Sequence, residues 1–161
     1  MRLSRNTKLT DVFSDNRDGP DALGQLRTDS NGEVYRFVQN KHTTDVASGS
    51  VVHTIATDTT LGTVARLGAT GTNIRLPAGV TVASMPADHY GFIKCRGVAT
   101  ASVEGTTDIA AGDILMGVAS QPYLVRATGG GTTSYPGSNI VALSAFTNDA
   151  TGSIAVKLNV L

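Results

Sequence analysis

Alternating apolar and polar positions over residues 93–103 predict a β-strand with one buried face. One face carries Ile93, Cys95, Gly97, Ala99, Ala101 and Val103, and the other carries Lys94, Arg96, Thr100 and Ser102. This two-residue period is typical of a half-buried strand. Glu104-Gly105 and Ala111-Gly112-Asp113 then predict two tight turns, and the second is followed by the short apolar run 114–116.

The cleanest alternation of the chain lies at residues 154–160. Ile154, Val156, Leu158 and Val160 point one way, and Ala155, Lys157 and Asn159 point the other. The period predicts a core strand that runs to the end of the chain. Further strands are expected at 123–127 and 140–145, separated by a Gly-rich loop at 128–138.

A β-hairpin is predicted at residues 23–39. Asn31-Gly32, a pair suited to a type I′ turn, separates the apolar segments 26–28 and 34–38. A lone hairpin is marginally stable in water. The side that carries Tyr35 and Phe37 should therefore lie on the main domain or on another subunit.

Short apolar pieces between glycines and prolines continue through residues 46–88, so the sequence predicts an all-β sandwich or barrel. Its length of 161 residues suits one core. We expect an extended N-terminal arm at 1–22 and a single β domain at 23–161, in which the hairpin 23–39 packs on a compact body at 46–161.

Charge is concentrated near the N-terminus. Residues 1–45 hold seven basic and seven acidic side chains, which is just over half of the charges of the chain. The first twenty residues have few apolar groups and end at Asp18-Gly19-Pro20. They should form an arm or a loosely docked segment that proteases cut first.

The chemistry of the sequence favours a protein as partner. Thirteen basic residues balance thirteen acidic ones, which argues against nucleic acid or an anionic membrane. We expect no membrane span, no signal peptide and no cofactor. The single cysteine, Cys95, is expected to be a buried structural thiol.

No convincing site for catalysis or metal binding is found in the sequence. His42 and Asp45 have a metal-like spacing but no second pair to complete a shell. No Gly-x-Ser-x-Gly segment marks a hydrolase nucleophile. The glycines at 129–131 lack the lysine of a phosphate-binding loop. We therefore expect no catalytic residue and no metal ligand.

Four segments of the second half resemble the small capsid decoration, or cement, proteins of tailed bacteriophages. They are Gly91-Phe92-Ile93-Lys94-Cys95-Arg96-Gly97, Ile109-Ala110-Ala111-Gly112-Asp113-Ile114-Leu115, Val141-Ala142-Leu143 and Asn148-Asp149-Ala150-Thr151-Gly152-Ser153-Ile154-Ala155-Val156. These are turn-and-strand signatures within residues 91–161.

The resemblance implies a non-enzymatic protein on the outer surface of the virion. It implies a homotrimer at local three-fold positions, with the major capsid protein as partner and an N-terminal arm that lies on that protein. The candidate arm residues are Arg2, Arg5, Lys8, Asp11, Asp15 and Arg17. Two alternatives stay open: a tail or fibre component that binds a host receptor, and an enzyme of unknown type.

Overall fold

The computed structural model describes residues 7–15, 19, 21–54, 63–65, 77–118, 121–127, 139–147 and 150–160. Every regular element in these ranges is a β-strand, so the all-β prediction is confirmed. The strands are β1 (Leu26–Thr28), β2 (Val34–Asn40), β3 (Val51–Thr54), β4 (Thr63–Ala65), β5 (Pro77–Thr81), β6 (Tyr90–Glu104), β7 (Leu115–Gly117), β8 (Leu124–Arg126), β9 (Ile140–Ala142) and β10 (Thr151–Asn159).

The 15-residue strand β6 organises the fold because its two halves pair with different strands of one ten-stranded network, whose two parts are here called two sheets. Its N-terminal half pairs with β2 on one side and with β5 on the other. β5 pairs with β3, β3 with β4, and β4 with β2, so five strands close a ring of hydrogen bonds. This closure gives the body a barrel form, one of the two that the sequence predicted, and it leaves no open edge in the ring.

The C-terminal half of β6 leaves the ring and forms a second, open sheet. β10 runs antiparallel to it from Thr151↔Glu104 to Asn159↔Arg96. β9 adds to the far side of β10, and Ile114 forms an isolated bridge to Val141 of β9. β8 joins β6 in parallel at Val103↔Leu124 and pairs with β7.

The main core lies on the inner side of this sheet and inside the ring. The alternation predicted for residues 154–160 is confirmed, because Ile154, Val156, Leu158 and Val160 are buried while Lys157 is exposed. Valine, isoleucine, leucine and alanine make up most of the cluster, with Met85 and Cys95 among them. Without tryptophan and with few aromatics, small β-branched side chains fill the interior.

The predicted hairpin is confirmed as β1 and β2. The predicted type I′ turn is wrong, because such a turn needs a positive φ at both Asn31 and Gly32, and only Gly32 has one, at +77°. Gly32 donates a backbone hydrogen bond to the Asp29 carbonyl at 3.1 Å, and Asp29 donates to the Glu33 carbonyl at 3.0 Å, so the loop is one residue longer than a type I′ turn. Tyr35 and Phe37 are buried against Phe92 of β6, so the hairpin packs on its own domain.

The strand predicted at 140–145 is shorter than expected. Only Ile140–Ala142 is extended and paired, and Leu143 beyond it is 44% exposed. Ser144 and Ala145, which follow it, are also exposed, so the second half of the predicted strand is not buried. The loop predicted at 128–138 lies outside the described residues.

Candidate functional site

The predicted arm residues are only partly described. Arg2, Arg5 and Arg17 lie outside the described residues. The other three, Lys8, Asp11 and Asp15, do not come together as a site. The Asp11 carboxylate accepts a hydrogen bond from the Lys8 backbone nitrogen at 2.9 Å, while the Asp11 nitrogen donates to the Lys8 carbonyl at 3.1 Å. Asp11 therefore closes a local turn. Lys8 is exposed and Asp15 is half-buried.

Residues 9–13 of the predicted arm lie on the domain. Phe13 and Tyr90 exchange two backbone hydrogen bonds of 2.8 Å, as an antiparallel bridge to the start of β6. The ring of Phe13 stands edge-on to that of Phe37, with centroids 6.1 Å apart. Leu9 covers the same aromatic cluster, and Val12 packs on the main core. The apolar side chains of residues 9–13 are therefore the ones that dock.

A charged network joins the hairpin to the middle of β6. The Lys94 ammonium donates to the Glu33 carboxylate at 2.6 Å and to the Val98 carbonyl at 2.7 Å. The same carboxylate accepts from the Tyr35 hydroxyl at 2.8 Å and from the Val98 nitrogen at 3.2 Å. We call this network the clamp. Two of its four polar contacts, those from Lys94 and from the Val98 nitrogen to Glu33, join the turn of the hairpin to β6 at the point where the two sheets part.

The electrostatics of the clamp are those of a structural contact. The hydrogen bond from Lys94 is the main cause that lowers the pKa of Glu33, against the opposing effect of burial. Burial, followed by the hydrogen bond to Glu33, raises the pKa of Tyr35. Both shifts keep Glu33 charged and Tyr35 neutral at pH 7, which are the states that the hydrogen bonds require. Neither group is poised to exchange a proton near neutral pH.

A shallow groove of about 190 Å³ lies beside the clamp. Its walls are formed by Ser48, Val80, Thr81, Val82, Lys94, Ala99 and Thr100. The hydroxyls of Ser48 and Thr81 are bonded to backbone carbonyls, and the ammonium of Lys94 is bonded to Glu33. These three polar groups of the groove are therefore satisfied within the protein, and they do not converge on a reacting atom.

The largest unusual surface is the side of the second sheet opposite the core, here called the outer face. Directly paired residues of antiparallel strands project to the same side. The first row across the outer face is Val98, Lys157, Val141 and Ile114. The second row is Thr100, Ala155 and Leu143.

The outer face holds most of the exposed large hydrophobic side chains among the described residues. Four large hydrophobic side chains of the described residues are exposed, and three of them, Val98 at 50%, Ile114 at 55% and Leu143 at 44%, lie here. Arg96 stands next to this patch, opposite Asn159. A contiguous exposed apolar patch with a polar border is typical of a protein interaction site.

The cysteine is buried as the sequence predicted. Cys95 is 0% exposed, its sulfur donates to the Ala78 carbonyl at 3.2 Å, and burial raises the pKa of the thiol to about 11. Among the described residues no three His, Cys, Asp or Glu side chains are grouped for a metal ion. In the same part of the chain no helix is long and apolar enough to cross a bilayer.

Sequence reasoning missed the clamp and the outer face. Glu33 and Lys94 are 61 residues apart, so no local pattern joins them. The outer face did carry a signal, because Val98 interrupts the polar side of an otherwise regular alternation. A valine at a solvent position of a strand is the kind of exception that points to a contact.

Comparison with known proteins gives a match among solved structures. One matching chain is the N-terminal base of the head fibre protein gp8.5 of bacteriophage phi29, with 13% identity and a TM-score of 0.48 over 78% of this chain and 93% of that one. No protein-family model matches the sequence, and no curated protein matches it either. At this identity and TM-score, the structural similarity is no evidence of a shared function.

Proposed function

We propose that this chain is a non-enzymatic virion protein of a tailed bacteriophage, which binds the outside of the expanded capsid and stabilises it. The proposal rests on the four segments that resemble capsid decoration proteins. In the fold their described residues are neighbours: β10 pairs with β6 and β9, and Ile114 bridges to Val141. The segments 109–115, 141–143 and 148–156 thus contribute to the second sheet or its border, and the segment 91–97 is the part of β6 that leads into it from the ring.

The chemistry of the described surface suits binding better than turnover. The polar groups of its groove are bonded within the chain, and the perturbed pKa values of Glu33 and Cys95 belong to a structural clamp and a buried thiol. A protein with an exposed apolar sheet can act by binding to the surface of another protein, without catalysing a reaction. Each copy that binds only the expanded geometry stabilises that geometry by mass action, and many copies act together.

The partner in this proposal is the major capsid protein, and the assembly is a homotrimer at local three-fold positions. Oligomers generally adopt closed symmetry, and a protein that sits on a three-fold axis matches it most simply as a trimer. The candidate arm in this proposal is residues 1–22 without the docked residues 9–13.

The direct test adds the purified full-length chain to expanded empty shells that lack it. The shells are assembled from the major capsid protein encoded in the same genome. We expect saturable binding and a higher temperature of shell disruption, whereas unexpanded shells should bind little. Absence of binding to both kinds of shell would overturn the proposal. Binding to host cells but not to shells would favour the fibre alternative.

A further inference from the structure

We propose that the outer face is the surface through which this chain docks on the shell, and that the shell surface it meets is apolar at its centre and acidic beside β6 and β10. This inference rests on the proposed function. It places the attachment site on the β domain rather than on the N-terminal arm.

The apolar part of the argument is the distribution of exposed side chains. Val98, Ile114 and Leu143 come from three separate segments, yet strand pairing places them on one side of one sheet. The half-buried side chains of Val141 and Ala155 lie between them. The inner side of the same strands is covered by the core, so the outer face is the side that is left for a partner. Burial of such a patch is the main favourable contribution in protein association.

The charges next to the patch indicate what the partner carries. Four described basic side chains, Arg27, Lys41, Lys94 and Arg126, each have an acidic partner within the chain. Three exposed basic side chains, Lys8, Arg96 and Lys157, have no ion pair with any described residue. Two of them, Arg96 and Lys157, lie on the outer face, and Lys157 stands between Val98 and Val141. Complementary carboxylates on the partner would steer and orient docking.

A second copy of the chain fits this face poorly. If two outer faces met with their strands running in the same direction, Lys157 would approach Lys157, and like charges in an interface are unfavourable. If the strands ran in opposite directions, Lys157 would lie near Ser102 and Ser153, the row on the other side of Thr100 and Ala155. Lys157 meets no acid in either arrangement, and only the second brings a basic residue of this face, Arg96, towards an acid, Glu104. A surface with carboxylates opposite both Arg96 and Lys157 is therefore the better occupant.

The first experiment compares Ile114→Thr/Leu143→Gln with Leu26→Gln in the shell-binding assay. Leu26 is the fourth exposed large hydrophobic among the described residues, 47% exposed and on β1, away from the outer face. We expect the double variant to bind expanded shells at least about tenfold more weakly, because hot-spot contacts are central and apolar. Leu26→Gln should bind within about twofold of wild type, since it removes no such contact. Thermal unfolding of each free variant should stay near wild type, because these side chains are exposed.

The second experiment tests the charges with Lys157→Glu and, as the control, Lys41→Glu, an exposed lysine just after β2 and away from the outer face. Lys157→Glu should weaken binding at low salt, and the difference from wild type should shrink as ionic strength rises. Lys41→Glu should bind like wild type at every salt concentration. Equal weakening by the two variants would mean that the charges of the outer face have no special part in docking, and would overturn this inference.

The two proposals fail in different ways. If the wild-type chain binds no shell, the proposed function itself fails. If it binds and the double variant binds as tightly as Leu26→Gln, the function stands and the outer face is not the docking surface. A third outcome is that the outer face joins copies of this chain to one another. Sedimentation of the free proteins tests it: if wild type is an oligomer and Ile114→Thr/Leu143→Gln is not, the face is a contact between copies, and docking on the shell is overturned.

Discussion

Gly97 is the residue on which the contact between hairpin and β6 depends. Its φ of +114° is unfavourable for other residues, and a Cβ there would lie 2.9 Å from the Cγ and Oε1 atoms of Glu33. Gly97→Ala should therefore carry the backbone strain, about 1–3 kcal/mol, and also displace the carboxylate that Lys94 and Tyr35 bind. Denaturant unfolding of the variant should show the loss.

The matched control is Gly112→Ala in the turn before β7. Gly112 has a similar φ of +94°, but no atom lies within 4 Å of the position that a Cβ would take. It should show the backbone strain alone, about 1–3 kcal/mol. Equal losses in the two variants would mean that Glu33 moves aside freely and that the clamp contributes little.

The clamp should make stability depend on pH in the acid range. The pKa of Glu33 is lowered from its ordinary value of 4.5 in the folded chain. The folded state then binds fewer protons than the unfolded state, so this stabilisation is complete above about pH 4.5 and is lost as the pH falls through the folded value. Unfolding of wild type and Glu33→Gln should be measured from about pH 7 to about pH 3. The wild type should lose stability more steeply below about pH 4.5, and parallel curves would contradict the assignment.

Among the elements, β10 should be the most sensitive to truncation of its inward side chains. Leu158 is 1% exposed and pairs with Gly97 of β6 and Ile140 of β9. Leu158→Ala should cost about 2–5 kcal/mol through lost burial and the cavity left behind. Lys157→Ala, the exposed neighbour, should change stability by less than about 0.5 kcal/mol. Thermal unfolding of the two variants would show whether the inward side chains of β10 stabilise the fold and the outward ones do not.

The N-terminal segment is the second element with a testable contribution. Phe13 bridges to Tyr90 and contacts Phe37, so Phe13→Ala should destabilise the domain by about 1–3 kcal/mol, less than a fully buried phenylalanine. Thr10→Ala, an exposed neighbour, is the control. An unchanged melting temperature in Phe13→Ala would show that the segment rests on the domain without stabilising it.

Sequence patterns predicted those elements that are specified by residues close together in the chain. The hairpin around Asn31-Gly32 and the alternation of residues 154–160 each fit within a short stretch of sequence, and both are confirmed, although the turn of the hairpin is not type I′. Closure of the ring could not be predicted, because β2 meets β6 and β4 across long stretches of chain. Docking of Phe13 was missed for the same reason: its partner Tyr90 is distant in sequence, and the few apolar residues around Phe13 show no period.

At the scale of the whole molecule, β6 prevents the two sheets from unfolding separately. The ring uses its N-terminal half, and the second sheet uses its C-terminal half, with Arg96 paired to both Val34 and Asn159. Loss of either sheet therefore leaves one edge of β6 unpaired and core side chains of the other sheet exposed. We expect a single cooperative transition, with circular dichroism and tyrosine fluorescence giving coincident curves. Separate transitions would mean that the sheets are independent.

Cys95 offers a probe of this cooperativity without any mutation. It is the single cysteine of the chain, lies in β6 next to the junction, and is 0% exposed. Burial raises the pKa of its thiol to about 11, so the folded protein presents neither access nor thiolate to a labelling reagent. Labelling should then require opening of the whole domain, and the free energy from labelling rates should equal that from denaturant unfolding.

Two variants extend this test, Leu158→Ala in the second sheet and Val52→Ala in the ring, where Val52 is 1% exposed. In each variant the free energy from labelling should fall by the same amount as the free energy from denaturant unfolding. Labelling that is faster than global unfolding allows would reveal partial opening around β6 and contradict a single cooperative unit.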